Sequence, residues 1–229
     1  MNKIIFITCL LISLAVNAEK PFKVAIIDTG FSPMPLDDSA MKLCDTGHYD
    51  FNTETTTVPV DDHGHGTFVT YLVNKSAKTR NMCYLVYKVF GPGVLNPENA
   101  INDAMLKAYK AGAHAINLSL YMRQYSYRTR RIVKMITNRG TKIFVSSGNE
   151  ARNLNTKCYT YPVCYKGVNK NMVVVGSLDM YGGIASYSNY GAMVDVYEMG
   201  DINDARGTSF AAPRALGKYL RSLNWDKRR

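Results

Sequence analysis

From Lys23 onward the chain alternates between short, nearly continuous apolar runs and longer stretches whose apolar residues recur every three or four positions. The runs at 23–27, 83–90, 113–120, 142–146 and 172–176 have the composition of strands covered on both faces. Shorter strands are expected near residues 49–51 and 194–196. Helices are expected between them. One begins at about His65, where Phe68, Val69, Tyr71, Leu72 and Val73 crowd together. A second starts at Asn96-Pro97-Glu98, which supplies a cap, a first-turn proline and a first-turn acid, and it buries Ile101, Ala104, Met105 and Ala108. A third covers 129–139. The last carries Ala212, Leu216, Tyr219, Leu220 and Leu223 on one stripe of helical period. Strands that alternate with helices are joined by crossovers, which predicts a mostly parallel sheet with helices on both faces. No repeat, low-complexity tract or linker interrupts the pattern. The fold class is therefore α/β, a single three-layer domain.

In open sheets of this kind ligands gather beyond the carboxyl ends of the strands. Two polar residues are expected there: Asp28 directly after the first strand and Asn149 just after the run at 142–146. Two more stand at helix starts, His65 between Gly64 and Gly66, and Ser209 within Gly207-Thr208-Ser209-Phe210-Ala211-Ala212-Pro213. Thr208 or Ser209 is expected to cap the last helix, where free backbone N–H groups and the helix dipole favour an oxyanion. Taken singly, an aspartate leaving a strand is a turn former and a serine at a helix start is a cap. Together the four supply what acyl transfer needs: a nucleophile, a base, a carboxylate to orient the base, and a donor for the oxyanion.

The order Asp, His, Ser is one of three chain orders known for this triad. Ile27-Asp28-Thr29-Gly30, Gly64-His65-Gly66-Thr67, Ser147-Gly148-Asn149 and the Ser209 block resemble the four signature segments of the subtilisin-like serine peptidases. The resemblance runs from about Lys23 to Leu223. It implies a parallel sheet of about seven strands and hydrolysis of peptide bonds through an acyl-enzyme. The implied catalytic residues are Asp28, His65, Ser209 and Asn149. By position, Ser119 and Leu120, with Tyr121 and Gly148 beside them, would bind substrate. A peptide would then add as a strand to the edge at 116–120. Departures from the family pattern are Tyr121 where glycine is usual, Arg214 where histidine is usual, and a short 74–81 loop without the calcium-binding insertion. No metal or cofactor is expected. Tyr121 narrows or partly fills the cleft, and a silent peptide-binding or regulatory protein on the same fold is the alternative. Asp61 and Asp62, just before His65, read equally as an exposed acidic turn or as an acidic cleft that selects basic residues.

The remaining constraints come from composition. Lys3 and the apolar run 4–16, followed by Val16-Asn17-Ala18, have the form of a secretory signal peptide over residues 1–18. A secreted or periplasmic peptidase domain at 19–229 is the expectation. It has no room for a propeptide before Asp28, so a separate folding helper is conceivable. The formal net charge of +10 is spread along the chain with no nucleic-acid motif, so a solvated basic surface is expected. The expected partner is a protein or peptide substrate, with no nucleic acid, no membrane span, and a monomeric state. Beyond Cys9 of the leader, Cys44, Cys83, Cys158 and Cys164 form an even set suited to disulfides. Three pairings are open. The short loop favours Cys158 with Cys164, which leaves Cys44 with Cys83.

Overall fold

The computed structural model describes residues 20–34, 41–78, 81–168, 170–202 and 205–223. The expected leader at 1–18 lies outside the described residues. Strands β1 (Phe22–Asp28), β2 (Tyr49–Asp50), β3 (Met82–Lys88), β4 (Ala115–Leu118), β5 (Lys142–Ser146), β6 (Met172–Leu178) and β7 (Val196–Met199) form one sheet. Their order is β2-β3-β1-β4-β5-β6-β7, and every neighbouring pair is parallel. Helices α1 (His65–Ala77) and α4 (Thr208–Ser222) cover one face; α2 (Pro97–Lys110) and α3 (Tyr127–Asn138) cover the other.

The two-residue period of β1 divides its side chains between these layers. Ala25 and Ile27 pack with Ile101, Met105, Ile132 and Ile136. Val24 and Ile26 pack with Val69, Val73, Ala212 and Leu216. Each of the valine, leucine, isoleucine and methionine side chains among these, removed from water, contributes roughly 1.5–3 kcal/mol. Coverage of both faces is why the strand reads as unbroken hydrophobicity rather than alternation.

Register sets the position of the polar ends. Asp28 pairs with Lys88, and Ile27 with Leu118, so β1, β3 and β4 finish at one rim. The chain leaves β1 for β3 on one side and later returns to β4 on the other. A crevice between carboxyl ends is expected where the winding reverses in this way.

Several boundaries differ from the sequence reading for local reasons. β4 stops at Leu118 because Ser119 turns to Ser209: its hydroxyl donates to the Ser209 carbonyl at 2.7 Å. α3 starts at Tyr127 because Ser126 caps it, accepting from the Thr129 amide at 3.3 Å. β7 starts at Val196 because Val194 closes a turn onto the Gly191 carbonyl. A small hairpin, β8 (Asp201–Ile202) with β9 (Ala205–Arg206), was too short to carry a hydrophobic signal. Disulfides join Cys44 to Cys83 and Cys158 to Cys164.

Helices α1 and α4 touch closely at Gly217. A Cβ there would lie 2.5 Å from the Ser76 Cβ and 2.6 Å from the Val73 carbonyl oxygen. Two opposing effects therefore meet in Gly217→Ala. Helix propensity favours alanine by about 1 kcal/mol, whereas overpacking costs about 1–3 kcal/mol and here presses on backbone. The expected result is net destabilisation, with Tm lowered by roughly 2–8 °C for a domain of this size. An unchanged or raised Tm in a thermal melt would contradict the close contact.

Candidate active site

Asp28 is the last residue of β1 and is 1% exposed. Its Oδ1 accepts from His65 Nδ1 at 2.7 Å and from the Thr29 amide at 2.9 Å. This fixes the imidazole tautomer with the proton on Nδ1 and leaves Nε2 as the acceptor. Burial pushes the His65 pKa down, but the hydrogen bond to Asp28 and the negative charges of Asp28 and Asp61 outweigh it. The net shift is upward from 6.5.

The approach of α1 to the end of β1 is stitched by groups to which the sequence reading gave no such role. Asp61, 9% exposed, accepts hydrogen bonds from the Thr29 hydroxyl (2.8 Å), the His63 and Gly64 amides (3.1 and 2.8 Å), and the Thr67 amide and hydroxyl (2.8 and 2.6 Å). Thr29 Oγ1 in turn accepts from the Gly66 amide at 2.9 Å. Burial pushes the Asp61 carboxyl up, yet the bonds from Thr67, Gly64 and Thr29 prevail and hold it at about 2. Asp61 thus satisfies the amino end of α1, which has no cap from its own N-cap residue, Gly64. The acidic-cleft expectation is corrected accordingly. Asp61 is turned inward, and Asp62 is paired with the buried Lys88 at 3.0 Å. The available signal was an aspartate four residues ahead of His65.

Ser209 lies in the first turn of α4, and Gly207, not Thr208 or Ser209, is the N-cap. The capping oxygen comes from outside the helix. Asn149 Oδ1 accepts from the Thr208 amide and hydroxyl, both at 2.9 Å. With Oδ1 occupied by two donors, the Nδ2 of Asn149 is the end left to donate. Asn189, fully buried, holds the segment that carries Asn149: its Nδ2 donates to the Ser147 carbonyl and Glu150 Oε2, and its Oδ1 accepts from the Glu150 and Arg152 amides. Nothing in the local pattern around Asn189 had singled it out.

These groups border one cleft of about 470 Å³. Asp28, His65, Asn149 and Ser209 line it, as do Ser119, Leu120, Tyr121 and Gly148. Phe90 and His63 complete the walls that matter here. The Ser209 hydroxyl donates to the Ser119 carbonyl at 3.2 Å rather than to the imidazole, so the nucleophile and base candidates share a cleft without a hydrogen bond. The main-chain groups of Leu120 and Tyr121 have no backbone partner among the described residues, which leaves a short free edge along the cleft. The cysteines named as site residues lie outside this group, in the two disulfides.

Comparison with known proteins agrees with this architecture. The thermophilic serine proteinase of Bacillus sp. (strain AK1) is 28% identical over 218 residues, covering 85% of this chain and 50% of the relative. Subtilisin Savinase of Lederbergia lenta is 29% identical over 213 residues, covering 85% and 73%. The chain thus spans about half the length of the first relative. Among solved structures, a cold adapted subtilisin-like serine proteinase superposes with a TM-score of 0.71 at 22% identity, over 88% of this chain and 76% of that one. The nisin leader peptidase NisP from Lactococcus lactis gives 0.66 at 19%, over 90% and 78%. The sequence matches the profile of the subtilase family over residues 19–221, and the chain belongs to that family.

Proposed function

We propose that the chain is an exported serine endopeptidase that cleaves peptide bonds through an acyl-enzyme. The observation that carries this reading is the 2.7 Å Asp28–His65 pair on the same cleft as the Ser209 hydroxyl and the Asn149 amide. For the reaction Ser209 gives up its bond to the Ser119 carbonyl for one to His65 Nε2. The oxygen then attacks the scissile carbonyl as the imidazole takes its proton, and Asp28 stabilises the imidazolium. Negative charge developing on the substrate oxygen is met by Asn149 Nδ2 and the Ser209 amide. The Thr208 amide is already committed to Asn149 Oδ1. Collapse expels the amine, which receives the proton from His65, and water repeats the sequence on the acyl group. Two disulfides support export, since such bonds persist in oxidising compartments. No helix among the described residues is long and apolar enough to cross a membrane.

One observation favours a second reading, a silent peptide-binding protein: the Ser209 hydroxyl is turned to Ser119. A fluorophosphonate label separates them. Stoichiometric reaction at Ser209 supports the peptidase, and no reaction in folded protein supports the binder.

Three outcomes are expected of the peptidase. Ser209→Ala keeps the fold by circular dichroism and loses peptide hydrolysis by roughly 10⁶-fold in kcat; undiminished hydrolysis would overturn the assignment. Asn149→Ala loses about 2.7–4 kcal/mol of transition-state stabilisation, a range known from a subtilisin. A fall of less than threefold in kcat would remove it from the oxyanion role. The pH profile follows from the base. His65 acts when neutral and its pKa is raised from 6.5. The acidic limb of kcat/KM should therefore have its midpoint above the ordinary histidine value. A midpoint at or below 6.5 would contradict the Asp28–His65 coupling.

A further inference from the structure

The Cys158–Cys164 disulfide closes a short loop, its two cysteines six positions apart. Tyr161, inside that loop, pairs with Met122 in both directions: the Met122 amide donates to the Tyr161 carbonyl at 2.7 Å, and the Tyr161 amide to the Met122 carbonyl at 2.9 Å. Met122 directly follows the free edge at Leu120 and Tyr121. Thr160, also inside the loop and 5% exposed, lies against Gly148: a Cβ on that glycine would stand 3.3 Å from Thr160 Cγ2. The loop is therefore bonded to the residue that follows the Leu120–Tyr121 wall and packed against Gly148 of another wall. Its own regular structure is a single 3-10 helix, Val163–Val168, and the covalent bridge adds to the Met122 bonds in limiting its freedom. Cys44–Cys83 is placed differently. Cys83 is near the amino end of β3, away from the rim that Lys88 shares with Asp28.

We propose that Cys158–Cys164 is a positioning element for polypeptide binding. It holds Tyr161 and Thr160 so that the free edge at Leu120 and Tyr121 is presented, in fixed register, to an incoming extended chain. This rests on the reading above that the cleft receives a polypeptide strand. If the bridge favours binding by some factor, binding must favour the bridge by the same factor. Reduction supplies the handle: a dithiol closes to its own ring disulfide as the two cysteines become thiols, and both cysteines are half-buried residues.

The test uses the full chain carrying Ser209→Ala, so that a bound polypeptide is not consumed, and fluorescein-labelled β-casein as an unfolded, cysteine-free probe. Fluorescence anisotropy gives Kd for the oxidised protein, for Cys158→Ser/Cys164→Ser, and for Cys44→Ser/Cys83→Ser. In parallel, the exchange equilibrium of each disulfide with dithiothreitol is measured with and without saturating casein, by thiol alkylation and mass spectrometry. The expected result is a Kd weakened about tenfold in the Cys158/Cys164 variant alone. Casein should shift the exchange equilibrium of that bridge about tenfold toward the disulfide and leave Cys44–Cys83 unmoved. Where the double variant does not fold, the exchange arm on the intact protein decides. An equilibrium moved less than twofold by casein, or no saturable binding by the oxidised protein, overturns the proposal. Hydrolysis of casein by the Ser209 protein is scored separately. Disulfide-dependent binding without hydrolysis sinks the peptidase reading and leaves this inference standing; hydrolysis with disulfide-independent binding does the reverse.

Discussion

Helix α1 reaches the end of β1 only because position 66 carries no side chain. A Cβ there would lie 2.5 Å from the Gly30 carbonyl oxygen, closer than non-bonded atoms come, and a tight 3.1 Å from the Asp28 Cβ. The closeness puts the first residue of the helix beside the last residue of the strand, and the 2.7 Å bond between His65 and Asp28 follows from it. A larger residue would push the helix start outward. The imidazole would then lose its orienting carboxylate while the core beneath it stayed largely intact.

Backbone contact of that kind needs compensation, because helix starts and strand ends both present unpaired polar groups. Two buried side chains supply it. Asp61 accepts five hydrogen bonds from Thr29, His63, Gly64 and Thr67, joining the loop after β1 to the start of α1. Asn189 does the equivalent for the loop after β5, and Asn149 then hands its own oxygen to the start of α4. The rim is thus built from loops made stiff by internal polar bonds, with the parallel sheet as the rigid base. The disulfide loop at Tyr161 extends the same pattern to the outer wall.

Much of this was legible from the chain alone. Strands buried on both faces announce themselves as continuous apolar runs, and the stripe from Ala212 to Leu223 marks a helix at 3.6-residue spacing. Asp28 and Asn149 follow such runs directly, so the rule about strand ends put them on one rim, where both line the cleft. What escaped was long-range hydrogen bonding. Ser119 leaves its strand because of Ser209, 90 residues away, and no local propensity encodes that partner. Asp61 read as an exposed turn or a cleft acid because its five donors are set by folding, and Asn189 gave no signal at all. The cap of α4 was sought within the helix and is supplied by Asn149, 59 residues earlier. Periodicity locates elements; the contacts that fix their ends depend on which elements meet.

The close backbone approach at Gly66 delivers the Asp28–His65 hydrogen bond, and the Nδ1 proton of His65 reports it directly. In ¹⁵N-labelled protein this proton should resonate far downfield of the amide region, attached to His65 Nδ1. It should disappear in Asp28→Asn and be lost or weakened in Gly66→Ala. Absence of the resonance from the unaltered protein, or its survival unchanged in Asp28→Asn, would contradict the account.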